Sequence, residues 1–67
     1  MNKKAIGEYL RALRGEKAQA DVAKDIGVTA MAISQYERGE RIPNDVIKIR
    51  IAEYFNKSVE EIFFANR

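Results

Sequence analysis

Apolar residues recur along the chain at helical spacing, in five short stretches separated by turn-forming residues. In the first stretch Ile6, Leu10 and Leu13 fall on one face, and Gly15 follows as a stop signal. The later stretches likewise place apolar residues on one helical face and are separated by turn-forming residues. The pattern predicts an all-α chain with helices at about 3–14, 19–26, 30–38, 45–55 and 59–65.

Residues able to cap helices stand where three of these stretches begin. Thr29 precedes the third, and either Asn44 or Asp45 precedes the fourth. The segment "SVEE" at 58–61 has the form of a capping box, in which Ser58 and Glu61 bond each other's backbone amides. These positions fix where we expect the helices to start.

One segment, "VIKIRI" at 46–51, alternates in the manner of a strand. A longer window of sequence favours a helix instead, because Ile47, Ile51 and Tyr54 share one helical face and a capping residue precedes them. We therefore expect a helix here.

The spacing within residues 19–38, "QADVAKDIGVTAMAISQYER", predicts two short helices that cross at a steep angle. Close approach needs a small residue on the first helix, which Ala23 provides. The turn needs a residue that tolerates positive φ, and Gly27 supplies it, with Val28 plugging the angle. A shared apolar centre is completed by Val22, Ile26, Ile33 and Tyr36.

Composition narrows the chemistry of this 67-residue chain. It has no cysteine, histidine or tryptophan, which excludes disulfides and thiolate or imidazole metal sites. Asp21, Asp25 and Glu37 are carboxylates at ordinary surface spacing without a nucleophile, so we expect neither an enzyme nor a cofactor. No apolar run approaches the ~20 residues needed to span a bilayer, and we expect a cytoplasmic protein.

The charge is mildly basic, with a net charge of +2. Residues 1–41 hold eight Lys/Arg against six Asp/Glu, whereas residues 42–67 are balanced at four each. This excess is weak evidence for a polyanionic partner.

The motif at 19–38 resembles the helix-turn-helix of the phage repressor and Cro class, the Xre-type regulators. The resemblance includes "YERGER" at 36–41, the "IP" connector at 42–43 and "IAEYFNKSVEEIF" at 51–63. It implies a single five-helix, lambda-repressor-like DNA-binding domain over residues 1–67. It also implies that the third helix enters the major groove of double-stranded DNA.

The resemblance carries roles to individual positions. Residues facing base edges would be Ala30, Met31, Ser34 and Gln35. Residues bonding phosphates would be Gln19, Thr29, Arg38 and Arg41. The leading run "AMA" at 30–32 looks apolar and exposed, so few hydrogen bonds to bases are expected. Met31 is read equally well as a thymine-methyl contact or as an ordinary surface residue.

Three departures from the family pattern have consequences. Ala18 stands where a serine-like cap is usual, which costs the second helix ~1 kcal/mol. The short link "GEKA" at 15–18 leaves open whether Arg14 pairs with Glu37. Glu40 occupies a position where a basic residue is frequent, and it would repel phosphates unless turned away.

Apolar residues near the C-terminal end exceed what so small a domain readily buries. Adjacent Phe63 and Phe64 cannot point the same way, so at least one is a candidate for an interface. We expect a homodimer through the C-terminal helices, with Ile49, Phe63 and Phe64 as the candidate interface residues.

Two functions fit these features. One is a sequence-specific transcriptional regulator, a repressor that occupies a pseudo-palindromic operator, with no small-molecule ligand evident. The other is a protein-interaction module on the same scaffold, such as an antitoxin or coactivator-like partner, which the apolar "AMA" run favours. The arginines of "YERGER" and Gln19 favour DNA.

Overall fold

The computed structural model describes residues 2–65, which form four α-helices and a short π-helical segment. The helices are α1 (Lys3–Arg14), α2 (Gln19–Ile26), α3 (Ala30–Glu37) and α4 (Asp45–Phe55), followed by the terminal π-helical segment Glu60–Phe64. No strand occurs between residues 2 and 65. The all-α prediction is confirmed, and the boundaries differ from expectation by one residue at most.

Side-chain caps start three of the α-helices. The side-chain oxygens of Asn2, Thr29 and Asn44 each accept a hydrogen bond from the amide three residues later, at 2.9–3.0 Å. Asn44 rather than Asp45 is therefore the cap of α4. The helix α2 has no such bond at Ala18, as the sequence predicts.

The capping box at 58–61 forms in one direction. Ser58 Oγ accepts from the Glu61 amide at 2.9 Å. The Glu61 carboxylate is engaged elsewhere: it accepts from the Tyr9 hydroxyl at 3.3 Å and lies 3.6 Å from Lys57 Nζ. Glu61 thereby links the terminal segment to α1 instead of closing the box.

The centre of the core is built from three elements. Its most deeply buried large side chains are Val22 of α2, Ile51 of α4, and Ile62 and Phe63 of the terminal segment. Phe63 is only 1% exposed, so the expectation that it takes part in a dimer interface is wrong. Its side chain fills the core, and the neighbouring Phe64 points outward instead.

The ambiguous segment at 46–51 is helical, as the longer frame indicates. Ile47 and Ile51 face inward, whereas Val46 and Ile49 are exposed. This is the arrangement of a helix with one apolar face and a second, exposed apolar patch.

The end of α3 is held against α1 by a close backbone approach at Gly7. A Cβ atom on Gly7 would lie 2.4 Å from the Glu37 carbonyl oxygen and 2.6 Å from that of Tyr36. Only glycine permits this approach. The contact fixes where the last turn of α3 lies.

No helix among the described residues has the length and apolar character required to cross a membrane.

Candidate nucleic-acid interface

The turn between α2 and α3 has the geometry that its sequence predicts. Ala23 is buried, and Gly27 adopts φ 92° in the left-handed region. The amides of Gly27 and Val28 both donate to the Ala23 carbonyl, at 2.8 and 2.9 Å. This hydrogen-bonded turn ends α2 and directs the chain into α3 at once.

The helix α3 has a buried face and an exposed face. Ala32, Ile33 and Tyr36 are in the core, so the expectation that Ala32 is exposed is wrong. Ala30 and Met31 are exposed at the leading end, and Met31 is 70% accessible. The apolar run "AMA" is thus divided between core and surface.

Ser34 and Gln35 lie one turn further along α3 and are partly exposed. Together with Ala30 and Met31 they form one surface of the helix, which we call the α3 face. Its leading half carries no hydrogen-bonding side chain, and its trailing half carries one hydroxyl and one amide.

A charged cluster at the C-terminal end of α3 ties α1, α2 and α3 together. Arg14 Nε donates to Glu37 Oε2 at 2.6 Å, and Arg14 Nη2 donates to Glu37 Oε1 at 3.0 Å. Arg14 Nη1 also donates to the Lys17 carbonyl at 2.6 Å. The hydrogen bond to Glu37 raises the pKa of Arg14 above its ordinary value, against the opposing effect of burial.

Arg14 therefore pairs with Glu37 although the link at 15–18 is short. Arg14 reaches Glu37 and at the same time binds a carbonyl of the 15–18 link. The shortened link is part of the cluster and does not displace it.

Gln19 completes the cluster from the first turn of α2. Its Nε2 donates to Glu37 Oε1 at 2.9 Å, which sets the orientation of the side chain. A primary amide has two N–H groups, so the second remains available to an external acceptor. A phosphate contact by Gln19 stays a prediction.

A second arginine–carboxylate pair lies at the C-terminal end of α3. Arg38 Nε donates to Glu40 Oε2 at 2.8 Å, and Nη2 donates to Glu40 Oε1 at 3.1 Å. Nη1 donates to Ser34 Oγ. The hydrogen bonds between Arg38 and Glu40 raise the pKa of Arg38 and lower that of the Glu40 carboxyl. Glu40 is turned toward Arg38, and it neutralises the cation that the sequence assigns to a phosphate.

Arg41 lies beside this pair. Its Nη1 is 3.5 Å from Gln35 Oε1, a long hydrogen bond, and its guanidinium lies over the Tyr36 ring at 5.7 Å. Both arginines are thus at the C-terminal end of α3, where the helix dipole favours positive charge.

The structure places two further lysines near the C-terminal end of α3, to which the sequence assigned no role. The backbone of Lys3 and Lys4 lies against Gly39, within 3.0–3.2 Å of where a Cβ on that glycine would be. Both side chains are exposed, so the first turn of α1 extends the basic end of α3. Their approach depends on how α1 crosses α3, which no local sequence signal reports.

The described residues offer no site for a metal ion: within residues 2–65 no group of three or more His, Cys, Asp or Glu is suitably placed. The trailing half of the α3 face and the flanking residues Gln19, Arg38 and Arg41 carry hydrogen-bond donors and cations, which suit an anionic partner.

Comparison with known proteins defines the class. Residues 9–62 match the helix-turn-helix family, and the chain belongs to it. The resemblance inferred from the sequence is confirmed.

Two relatives make the class more concrete. An uncharacterised HTH-type transcriptional regulator of Methanocaldococcus jannaschii is 36% identical over 56 residues, which are 84% of this chain and 83% of the relative. The crystal structure of the P22 c2 repressor protein in complex with a synthetic operator has a TM-score of 0.82 and 34% identity, and the match covers 85% of this chain and 89% of that chain. The chain therefore has the repressor-like fold of helix-turn-helix transcriptional regulators.

Proposed function

We propose that this protein is a sequence-specific DNA-binding regulator that represses transcription by occupying a pseudo-palindromic operator. The observation that carries the proposal is the α3 face, an exposed helix surface with Arg38 and Arg41 at its C-terminal end and with Gln19 held by Glu37 in the last turn of the same helix. It lies on a fold shared with a repressor whose structure contains an operator. Such a role places the protein in the cytoplasm, on the nucleoid.

Base recognition rests on the exposed residues of α3. Ala30 is small enough to let the helix backbone lie deep in the major groove. Met31, at 70% exposure, provides a flexible apolar contact for a thymine methyl group. Ser34 and Gln35 supply the polar contacts, with Gln35 suited to a bidentate bond with adenine. Because so few groups read bases, DNA shape carries part of the specificity.

Phosphate contacts fix the register of α3 in the groove. Thr29 and Gln19 stand at the N-terminal ends of α3 and α2, and Arg38 and Arg41 stand at the C-terminal end of α3. Contacts at both ends of the helix hold its angle to the DNA.

Dimerisation supplies a second α3 helix for the other half-site of the operator. Ile49 and Phe64 are 52% and 57% exposed, and Val46 on the same helix as Ile49 is also exposed. Exposed large apolar side chains on so small a domain support an interface with a second copy. A twofold dimer would place its two α3 helices ~34 Å apart, one turn of DNA.

The experiment is selection of bound duplexes from a random library, with the unaltered protein, Gln35→Ala and Met31→Ala. We expect a palindromic consensus, with adenine preference weakened by Gln35→Ala and thymine preference weakened by Met31→Ala. A library without any enriched sequence would reject the regulator and favour the protein-interaction module.

The dimer is tested separately by sedimentation of the free protein and of Phe64→Ser at micromolar concentrations. We expect self-association of the former and a monomer for the latter. A monomer in both cases, with only one protein bound per selected duplex, would reject the C-terminal interface.

A further inference from the structure

The cation predicted to reach a phosphate from the end of α3 is already occupied within the free chain. Arg38 directs Nε and Nη2 to the Glu40 carboxylate and Nη1 to Ser34 Oγ. An arginine has five N–H donors in a fixed fork, with two edges that can hold a phosphate in bidentate fashion. Glu40 takes the Nε–Nη2 edge, and Ser34 takes one donor of the Nη1–Nη2 edge. The pair presents no net charge to DNA at a distance.

The same bonds engage the polar half of the α3 face. Ser34 is bound by Arg38, and Gln35 Oε1 lies 3.5 Å from Arg41 Nη1. When each arginine moves to a phosphate, the side chain it held becomes free for a base edge. Phosphate binding and base reading are thus coupled through these two contacts.

Replacement of Glu40 by a phosphate is easy because the Arg38–Glu40 pair is solvated. The side chains of Arg38 and Glu40 are 57% and 53% exposed, and an ion pair in that setting is weak and screened by salt. A phosphate at contact distance offers Arg38 the same bidentate geometry. A phosphate held further away cannot displace Glu40.

We propose that Glu40 is a specificity-determining residue, because it masks Arg38 in loosely held complexes and releases it only when α3 is fully seated in the groove. The proposal rests on the DNA-binding function proposed above. In non-specific complexes the masked Arg38 releases no counterion. In the operator complex it bonds a phosphate and does release one.

The test compares Glu40→Gln with a matched control, Glu60→Gln. Each substitution removes one exposed carboxylate and raises the net charge by one. Glu60 lies on the terminal segment, which packs against α1. Binding to a selected operator duplex and to an unrelated duplex is measured as a function of salt for both variants and the unaltered protein.

For Glu40→Gln we expect the slope of log affinity against log salt to steepen by ~0.9 on the unrelated duplex, the value of one added phosphate contact. On the operator the slope should stay as it is, since Arg38 is already bound to phosphate there. The ratio of operator to non-specific affinity should therefore fall at low salt. Glu60→Gln should change neither slope.

A second pair of variants tests whether the effect of Glu40→Gln depends on Arg38. In an Arg38→Gln background, Glu40→Gln should no longer steepen the non-specific slope, because the masked cation is gone. Equal steepening on both duplexes, an unchanged non-specific slope, or the same effect without Arg38 would each overturn the proposal.

These failures differ from failure of the proposed function. If no duplex is enriched from the library, regulation of a specific operator is rejected, and discrimination by Glu40 falls with it. If an operator is found and Glu40→Gln leaves the non-specific slope unchanged, only the role of Glu40 is rejected.

Discussion

Two arginine–carboxylate pairs of the same bidentate kind lie at the end of α3 and have opposite characters. The inner pair, Arg14 with Glu37, has side-chain exposures of 15% and 6%. The outer pair, Arg38 with Glu40, has exposures of 57% and 53%. The chemistry is the same, so the difference in solvent exposure is the first reason why one pair is a structural tie and the other an exchangeable contact.

The surroundings reinforce the difference. Glu37 also accepts from Gln19 and so joins three helices, and its Arg14 partner holds a link carbonyl. Arg38 and Glu40 are two residues apart, so their bond links only neighbouring turns of chain. We therefore expect that breaking the inner pair disturbs the fold, whereas breaking the outer pair rearranges only the surface.

Replacing Glu37 by alanine should have the largest effect. It leaves Arg14 and Gln19 without their acceptor in a mostly buried setting, and we expect a loss of about 2–4 kcal/mol of unfolding free energy, toward the value for a buried pair. Urea denaturation measures it. Glu40→Ala is the matched control and should leave the urea midpoint nearly unchanged. Equal shifts in both variants would contradict the distinction.

A methyl group added at Gly7 should have the second-largest effect on stability. The new Cβ would meet the backbone carbonyls of Tyr36 and Glu37, so α1 must move away from α3. Overpacking of this kind costs about 1–3 kcal/mol. Thermal or urea unfolding of Gly7→Ala gives the value, with Ala12→Gly elsewhere on α1 as a control for helix propensity. A stability equal to that of the unaltered protein would show that the two helices separate easily.

High salt should weaken the coupling energy of the outer pair more than that of the inner pair. Double-mutant cycles, Arg14 with Glu37 and Arg38 with Glu40, give each coupling energy at low and at high salt. We expect the outer coupling to vanish at high salt, where the Debye length falls to ~3 Å, and the inner coupling to persist. Parallel loss of both couplings would mean that burial does not protect the inner pair.

The smallest effect concerns pH. Arg38 lowers the pKa of Glu40, so the outer pair stabilises the folded state above the ordinary pKa of a glutamate. That contribution is lost as pH falls through the lowered value. Carbon NMR of the Glu40 carboxyl should show a titration midpoint below that in Arg38→Gln. Coincident midpoints would show that the pair is not formed in solution.

Much of the architecture could be predicted from local patterns. The caps at Thr29 and Asn44, the left-handed turn at Gly27 and the helical frame through Ile47 and Ile51 are short-range features, each set by a few neighbouring residues. The helix-turn-helix offsets are equally local. Roles for the α3 face followed from resemblance, and those roles remain predictions.

The sequence by itself determined the helices and the turn between α2 and α3. Only the tertiary structure decided that Arg14 reaches Glu37 across a shortened link, that Phe63 is buried while Phe64 is exposed, and that Glu40 pairs with Arg38. The reason is physical. Helix periodicity and capping are set by neighbours in the chain, whereas burial and charge pairing depend on how separate elements pack and on the solvent left between them.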